Sequence, residues 1–167
     1  MKNIYVALEN IRSLHNIGAI FRTCSFFGIT EILLVGYSGR NFDTKGRPVL
    51  HEEIKKSSLG TEKDLNIKFL DEPADLIKFS QEQKLKLFAI EQTEKSTVLG
   101  NIDFKESGSG YILVFGNEVT GVSTEVLEAS DQTIEIAKKG AHNSLNVATV
   151  CGIVLYSATK DLQPRVS

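Results

Sequence analysis

The sequence predicts an α/β domain with a mostly parallel sheet flanked by helices. Short, continuous apolar runs of the length of buried strands recur along the chain, and segments with helical 3–4 spacing separate them. Three polar loops follow such runs at 91–96, 116–121 and 138–144. In parallel sheets the carboxyl ends of the strands are where ligands bind.

The run Ile4-Tyr5-Val6-Ala7-Leu8 predicts the first buried strand, followed by a loop over 9–14. Asn16 is expected to open a helix with Ile17, Ile20, Phe21, Cys24 and Phe27 as its apolar stripe, ending at Gly28. Asn16 is also a candidate N-cap. Arg22 lies off that stripe, one turn after Gly18, where the sequence predicts bare backbone beside its stem. A helical glycine costs about 1 kcal/mol relative to alanine, which suggests that something approaches the helix closely there. Residues 31–35 read as the second strand. The stretch 36–48 reads as an irregular basic loop with Arg40, Lys45 and Arg47. Residues 48–58 read as a short helix carrying Lys55 and Lys56, and 66–70 as a strand. Residues 73–83 read as a helix with Pro73 in its tolerant first turn.

Residues 85–90 and 111–115 are two further buried strands. The second runs straight into Gly116-Asn117-Glu118-Val119-Thr120-Gly121-Val122-Ser123, with Ser123 as the plausible N-cap of the next helix. A short alternating segment, 133–136, leads through the loop 138–144 into a helix from Leu145 that is apolar nearly all round. Such a helix is expected to be buried on most sides. Asn143 or Ser144 are its candidate caps.

With 167 residues, 41% of them hydrophobic, the chain has the size of one ordinary domain able to bury a core. Lys and Arg number 19 against 21 Asp and Glu, so bulk charge does not advertise a nucleic-acid binder, and any such surface must be local. Cys24 and Cys151 fall in apolar helical segments and read as buried free thiols, which suits a reducing, cytoplasmic setting. His15, His51 and His142 lack metal-ligand spacing. No apolar run reaches membrane-spanning length and no signal peptide is expected. Neither a dinucleotide fingerprint nor a P-loop is present, and no nucleophile–base constellation suggests hydrolysis.

Three stretches together carry a resemblance. Asn16-Ile17-Gly18-Ala19-Ile20-Phe21-Arg22 resembles an N-x-G-x-x-x-R motif. Phe115-Gly116-Asn117-Glu118-Val119-Thr120-Gly121-Val122-Ser123 resembles F-G-x-E-x-x-G-[LV]-S. Ser144-Leu145-Asn146-Val147-Ala148 resembles S-L-N-V-[SA]. These are the motifs of the SpoU-type (TrmH-like) RNA 2′-O-ribose methyltransferases of the SPOUT superfamily, in the same order and spacing. Lys56-Ser57-Ser58-Leu59-Gly60-Thr61 adds a lesser match. The resemblance covers essentially the whole chain, read as one SPOUT domain over 1–167 with no separate RNA-binding extension.

The resemblance implies a C-terminal trefoil knot, which periodicity could not show, since knots are rare exceptions to the topology rules. It implies S-adenosylmethionine as cofactor, lined by Ile90, Glu91, Gln92, Gly116, Asn117, Ile136, Ser144, Leu145 and Asn146. It places Arg22, Asn16, Glu118, Ser144 and Asn146 at the catalytic site. The implied reaction is methylation of a ribose 2′-hydroxyl in RNA, with tRNA favoured over ribosomal RNA, by a homodimer pairing through the first and last helices. No metal is implied. Arg22 suits a clamp on RNA phosphate and ribose better than a base, because a guanidinium pKa lies above about 12.

In two respects the chain is expected to depart from the family pattern: Ile136-Ala137-Lys138 stands where many members carry an I-P-M turn, and no separate N-terminal RNA-binding domain is expected. Arg12, Arg40, Lys45, Arg47, Lys55, Lys56, Lys138 and Lys139 are candidate phosphate contacts. The alternative function is a non-catalytic RNA-binding module of the same fold.

Overall fold

Residues 3–162 are described by a computed structural model. In chain order the first half comprises β1 (Asn3–Glu9), α1 (Leu14–Phe26), β2 (Glu31–Val35), β3 (Arg40–Phe42), β4 (Pro48–Leu50), α2 (Ile54–Ser58), β5 (Asn66–Leu70) and α3 (Pro73–Glu82). The second half comprises β6 (Lys86–Ile90), β7 (Thr97–Val98), β8 (Gly110–Phe115), α4 (Thr124–Ala129), β9 (Gln132–Glu135) and α5 (Val147–Thr159). Seven strands form one sheet in the order β5-β2-β1-β8-β6-β9-β7, and every pairing in it is parallel. The predicted fold class is therefore the observed one.

The central strands are apolar because helices cover both faces. β8 is buried at every position. Its Tyr111, Leu113 and Phe115 join Ile17, Ile20 and Phe21 of α1 and Val154 and Leu155 of α5 in one core layer. Its Ile112 and Val114 join Leu76 of α3 and Val126 of α4 in the other. Cys24 and Cys151 are free and buried between α1 and α5, as their apolar settings predict. Two late strands enter gaps between earlier ones: β8 lies between β1 and β6, and β9 between β6 and β7. The strand order reverses beside β1, so the crevice at the carboxyl ends of β1 and β8 is the topological switch point.

Several local expectations are corrected. The stretch 36–48 is not irregular throughout, because β3 and β4 pair antiparallel as a small hairpin. Pro48 belongs to that hairpin, and the helix expected from 48 spans only Ile54–Ser58. Helix α1 starts before Asn16, with Ser13 as its N-cap. Helix α5 starts after Leu145, and its cap is Asn146 rather than Asn143 or Ser144. One side of α5 is bare rather than buried, with Tyr156 66% exposed.

Gly18 does mark a close approach, but by protein. A Cβ there would lie 2.7 Å from the Ile54 carbonyl oxygen and 2.8 Å from the Ser58 nitrogen, so α2 sits directly on the glycine. Gly18→Ala must push α2 away from α1. Overpacking of this kind costs about 2 kcal/mol, which at this chain length lowers Tm by roughly 4–8 °C. Thermal unfolding followed by circular dichroism reads that shift, and an unchanged Tm would show that α2 moves freely.

Candidate active site

The site begins with a division of labour at the start of α1. The Ser13 hydroxyl accepts from the Asn16 backbone N–H at 3.2 Å and caps the helix. The Asn16 side chain is thereby left for longer-range contacts. Its Nδ2 donates to Glu118 Oε1 at 3.2 Å, and its Oδ1 accepts from Asn146 Nδ2 at 3.0 Å. One nearly buried amide thus ties together three stretches far apart in sequence. Asn146 Oδ1 accepts from the Ala148 N–H at 2.8 Å, which caps α5.

Glu118 closes the arrangement from the other side. Its carboxylate accepts from the backbone N–H groups of Arg12 at 3.0 Å and Ser13 at 3.1 Å. Partial burial pushes its pKa up. The hydrogen bonds from Arg12, its own backbone N–H, Ser13 and Asn16 outweigh that and hold it below the ordinary glutamate value. At neutral pH Glu118 is an anion whose acceptor capacity is largely used, which suits a clamp better than a proton donor.

The turn that presents Glu118 is itself pinned. Asn117 and Gly121 bond each other in both directions, N to O at 3.0 and 2.9 Å. Gly121 adopts φ +72°, and a Cβ there would run into the Glu91 carboxylate. Glu91 Oε2 accepts from the Val122 N–H at 3.0 Å, and buried Glu9 accepts from the Ser123 N–H at 3.1 Å. The Asn117 amide makes four bonds: Oδ1 accepts from Val119 and Thr120 N–H, and Nδ2 donates to the Asn10 carbonyl and the Tyr37 hydroxyl.

Beside this cluster lies a cavity of about 400 Å³ at the carboxyl ends of β6 and β9. Ile90, Glu91, Gln92, Ile136, Ser144 and Leu145 line it, together with Ile134, Ala137, Lys138 and Val150. Gly116, Asn117 and Asn146 stand outside its wall. Among the described residues, the backbone N–H and C=O groups of 137–145 make no hydrogen bond to the protein. A volume of this size, apolar walls and free backbone groups suit a nucleoside-sized ligand read by its edges. The Lys138 ammonium donates to Asn143 Oδ1 at 2.7 Å and closes the loop across its base.

Arg22 stands on the exposed side of α1, and its side chain makes no hydrogen bond or ion pair among the described residues. Ser144 belongs to the cavity wall and not to the Asn16–Glu118–Asn146 chain. Of the basic candidates, Arg40, Arg47 and Lys56 are paired with Asp71, Asp43 and Glu53 and Lys55 lies near Glu62, whereas the side chains of Arg12, Lys45 and Lys139 make no hydrogen bond or ion pair among the described residues. Sequence reasoning missed Asn10 and Tyr37 as supports of the site. An asparagine directly after a strand was the available signal: Asn10 takes the left-handed φ of 53° that asparagine tolerates.

A profile of the SpoU rRNA methylase family matches residues 3–156. The chain belongs to that family. The tRNA (guanosine(18)-2′-O)-methyltransferase of Aquifex aeolicus is 27% identical over 164 residues, covering 98% of this chain and 72% of that protein. The Thermus thermophilus protein of the same name is 28% identical over 158 residues, covering 95% and 75%. Among solved structures, the A. aeolicus TrmH/SpoU tRNA modifying enzyme superposes with a TM-score of 0.78 at 28% identity, covering 96% of this chain and 75% of that one. An AdoMet-bound rRNA methyltransferase from Sinorhizobium meliloti does so with a TM-score of 0.81 at 26% identity, covering 97% and 57%. In this SpoU-family chain the three motif stretches meet through one side-chain amide.

Because that junction joins an amide to a carboxylate, its charge can be tested. In the native protein Glu118 has a lowered pKa, so its contribution to stability is present above the unfolded glutamate value of about 4.3 and is lost as pH falls through the lower folded value. Asn16→Asp sets a second carboxylate against Glu118 and raises the pKa of the pair. That variant is expected to be destabilised near neutral pH and to regain part of the loss as pH falls toward about 5, where the native protein gains nothing from Glu118. Thermal unfolding of both proteins over this range reads a gain on acidification in the variant against no gain from Glu118 in the native protein, and parallel profiles would remove the charge from the junction.

Proposed function

We propose that this protein is an S-adenosylmethionine-dependent RNA methyltransferase that modifies a ribose 2′-hydroxyl, with tRNA as its substrate. The observation that carries the reading is the junction of Asn16, Glu118 and Asn146 beside a cavity walled by free backbone groups, in a chain of the SpoU family. The Aquifex and Thermus relatives, named as tRNA (guanosine(18)-2′-O)-methyltransferases, support tRNA. The Sinorhizobium structure supports the cofactor and keeps ribosomal RNA as the second reading.

The adenosyl part of the cofactor suits the apolar wall formed by Ile90, Ile136, Leu145 and Val150, with backbone groups of 137–145 at its polar edges. When bound, S-adenosylmethionine supplies a methyl group already attached to a sulfonium leaving group. The protein's own task is then alignment of the ribose and relief of the charge that develops on its oxygen. Glu118 and Asn16 fix the loop after β1 and the start of α1, and so set where α1 presents Arg22. Arg22, exposed and unpaired, is free to clamp an RNA phosphate and to stabilise the forming alkoxide. Arg12 and Lys139 add phosphate contacts without having to break an ion pair first. The entry of β8 and β9 between earlier strands supports a trefoil knot around the cofactor loop. We place the reaction in the cytoplasm, where the two buried free thiols are at home.

A homodimer through α1 and α5 completes this reading. Phe26 on α1 is 84% exposed, and Tyr156 on α5 is bare as well, near where a Cβ on Gly152 would lie 3.8 Å from Thr23 Cγ2. Large apolar groups on adjoining helices suit a second copy of the chain. Tyr156→Glu is expected to yield a monomer by light scattering and to lose methyl transfer with it. A dimer persisting in that variant would move the interface elsewhere.

The reaction is tested with methyl-labelled S-adenosylmethionine and unmodified tRNA or ribosomal RNA, followed by nucleoside identification. Label in a 2′-O-methyl nucleoside from tRNA is expected. Arg22→Ala should lower kcat at least about 100-fold, the scale for loss of a charge-stabilising donor, with cofactor affinity by calorimetry unchanged. Arg22→Lys retaining near-full activity would rule out any role needing the planar guanidinium. Cofactor binding with no label in either RNA would favour the binding-module reading.

A further inference from the structure

We propose that Tyr37 is a stacking platform for a nucleobase next to the reacting ribose, and hence a residue that sets RNA affinity and choice. The inference rests on the reading of the chain as an RNA methyltransferase.

Tyr37 stands just past the end of β2, Arg12 follows β1 and Glu118 follows β8. These three strands are neighbours and parallel, so all three residues lie at the same edge of the sheet, at the switch point. Tyr37 is 53% exposed, yet the ends of its side chain are fixed. Its hydroxyl oxygen accepts from Asn117 Nδ2 at 2.7 Å, and its backbone N–H lies 3.4 Å from Asn10 Oδ1. The residue after it, Ser38, is fully buried, and its hydroxyl accepts from the Ile11 N–H at 2.8 Å. The chain therefore cannot swing the ring away.

Among the described residues no aromatic ring or cation lies on the ring of Tyr37. Because the phenol accepts from Asn117, its own proton is free to be donated outward. The same Asn117 amide closes the turn bearing Val119, which is 75% exposed. An amide buried for structural reasons alone would not need to hold one aromatic and one aliphatic side chain out in water. A rigid, half-exposed ring with no aromatic or cationic neighbour on it, a spare donor, an aliphatic neighbour and the unpaired Arg12 nearby are what an unstacked base and its phosphate require. Pre-ordering the ring also removes the entropy of fixing it on binding.

The test uses the full chain with Tyr37→Leu and Tyr37→Phe, tRNA transcripts for kinetics, and a short single-stranded RNA containing 2-aminopurine as a binding probe. Tyr37→Leu is expected to raise KM for tRNA about 10-fold, the scale of one stacking contact, with kcat and cofactor affinity nearly unchanged. Tyr37→Phe keeps the ring and should stay within about 3-fold of the native KM. Native protein should quench 2-aminopurine fluorescence on binding, and Tyr37→Leu should not. Unchanged KM and quenching in Tyr37→Leu would overturn the inference. So would an equal fall in kcat in both variants, which marks Tyr37 as a mere prop for the Glu118 turn, or a change in oligomeric state, which marks a protein interface. Quenching by native protein that depends on Tyr37, without methyl transfer, would uphold the platform and sink the methyltransferase reading instead. Failure of native protein to bind the RNA would sink both.

Discussion

Everything at the carboxyl edge of the sheet depends on the Asn16 amide. Among the described residues it is the one group that both donates to Glu118 and accepts from Asn146. Few side chains could replace it. Aspartate of the same shape would lose the donor and meet Glu118 with like charge, and leucine would leave both partners with an unmet bond in a half-buried place. Because Asn146 also caps α5 and Glu118 also holds the backbone before α1, the amide couples the starts of two helices to the turn after β8. The first and last helices are thus placed relative to each other by polar geometry at one end and by core packing along their lengths.

The turn after β8 has a related logic. It cannot join the sheet ladder, since its residues lie beyond the strand end, so its N–H groups must find other acceptors. Two carboxylates and one side-chain amide supply them. Glu91 takes Val122, Glu9 takes Ser123, and the Asn117 amide takes Val119 and Thr120. Acceptors of this strength make a loop with two glycines rigid. Rigidity matters here because Glu118, Val119 and, through Asn117, Tyr37 are all displayed by it.

The sheet was legible in the sequence because its central strands are apolar on both faces, and an uninterrupted run such as 111–115 leaves little choice. Strands β3, β4 and β7 were not legible: Arg40–Phe42 and Pro48–Leu50 are short, half polar and exposed, and two-residue β7 has no period at all. The start of α1 was misplaced because Ser13 and Asn16 are both good caps in isolation, and only the distant partners of Asn16 decide between them. Gly18 was readable as a point of close approach, but not that α2 was what approached. Bringing Asn16, Glu118 and Asn146 together could be expected only through family resemblance, since contacts across more than a hundred residues leave no local pattern.

The absent proline after Ile136 has a physical counterpart in the same loop. Proline would restrict one backbone angle, lowering the entropy lost on ordering the segment. Here the backbone of 137–145 is free of internal hydrogen bonds, and the restraint comes from its ends and from a side chain. Strand β9 holds one end and the Asn146 cap of α5 the other, while Lys138 reaches Asn143 across the loop. An exposed ion–amide bond of this kind is weaker than a ring closure in the backbone, and it can open. The loop can therefore keep its N–H and C=O groups in water until a ligand takes them, and it then incurs a larger entropic cost of ordering than a proline-braced loop would.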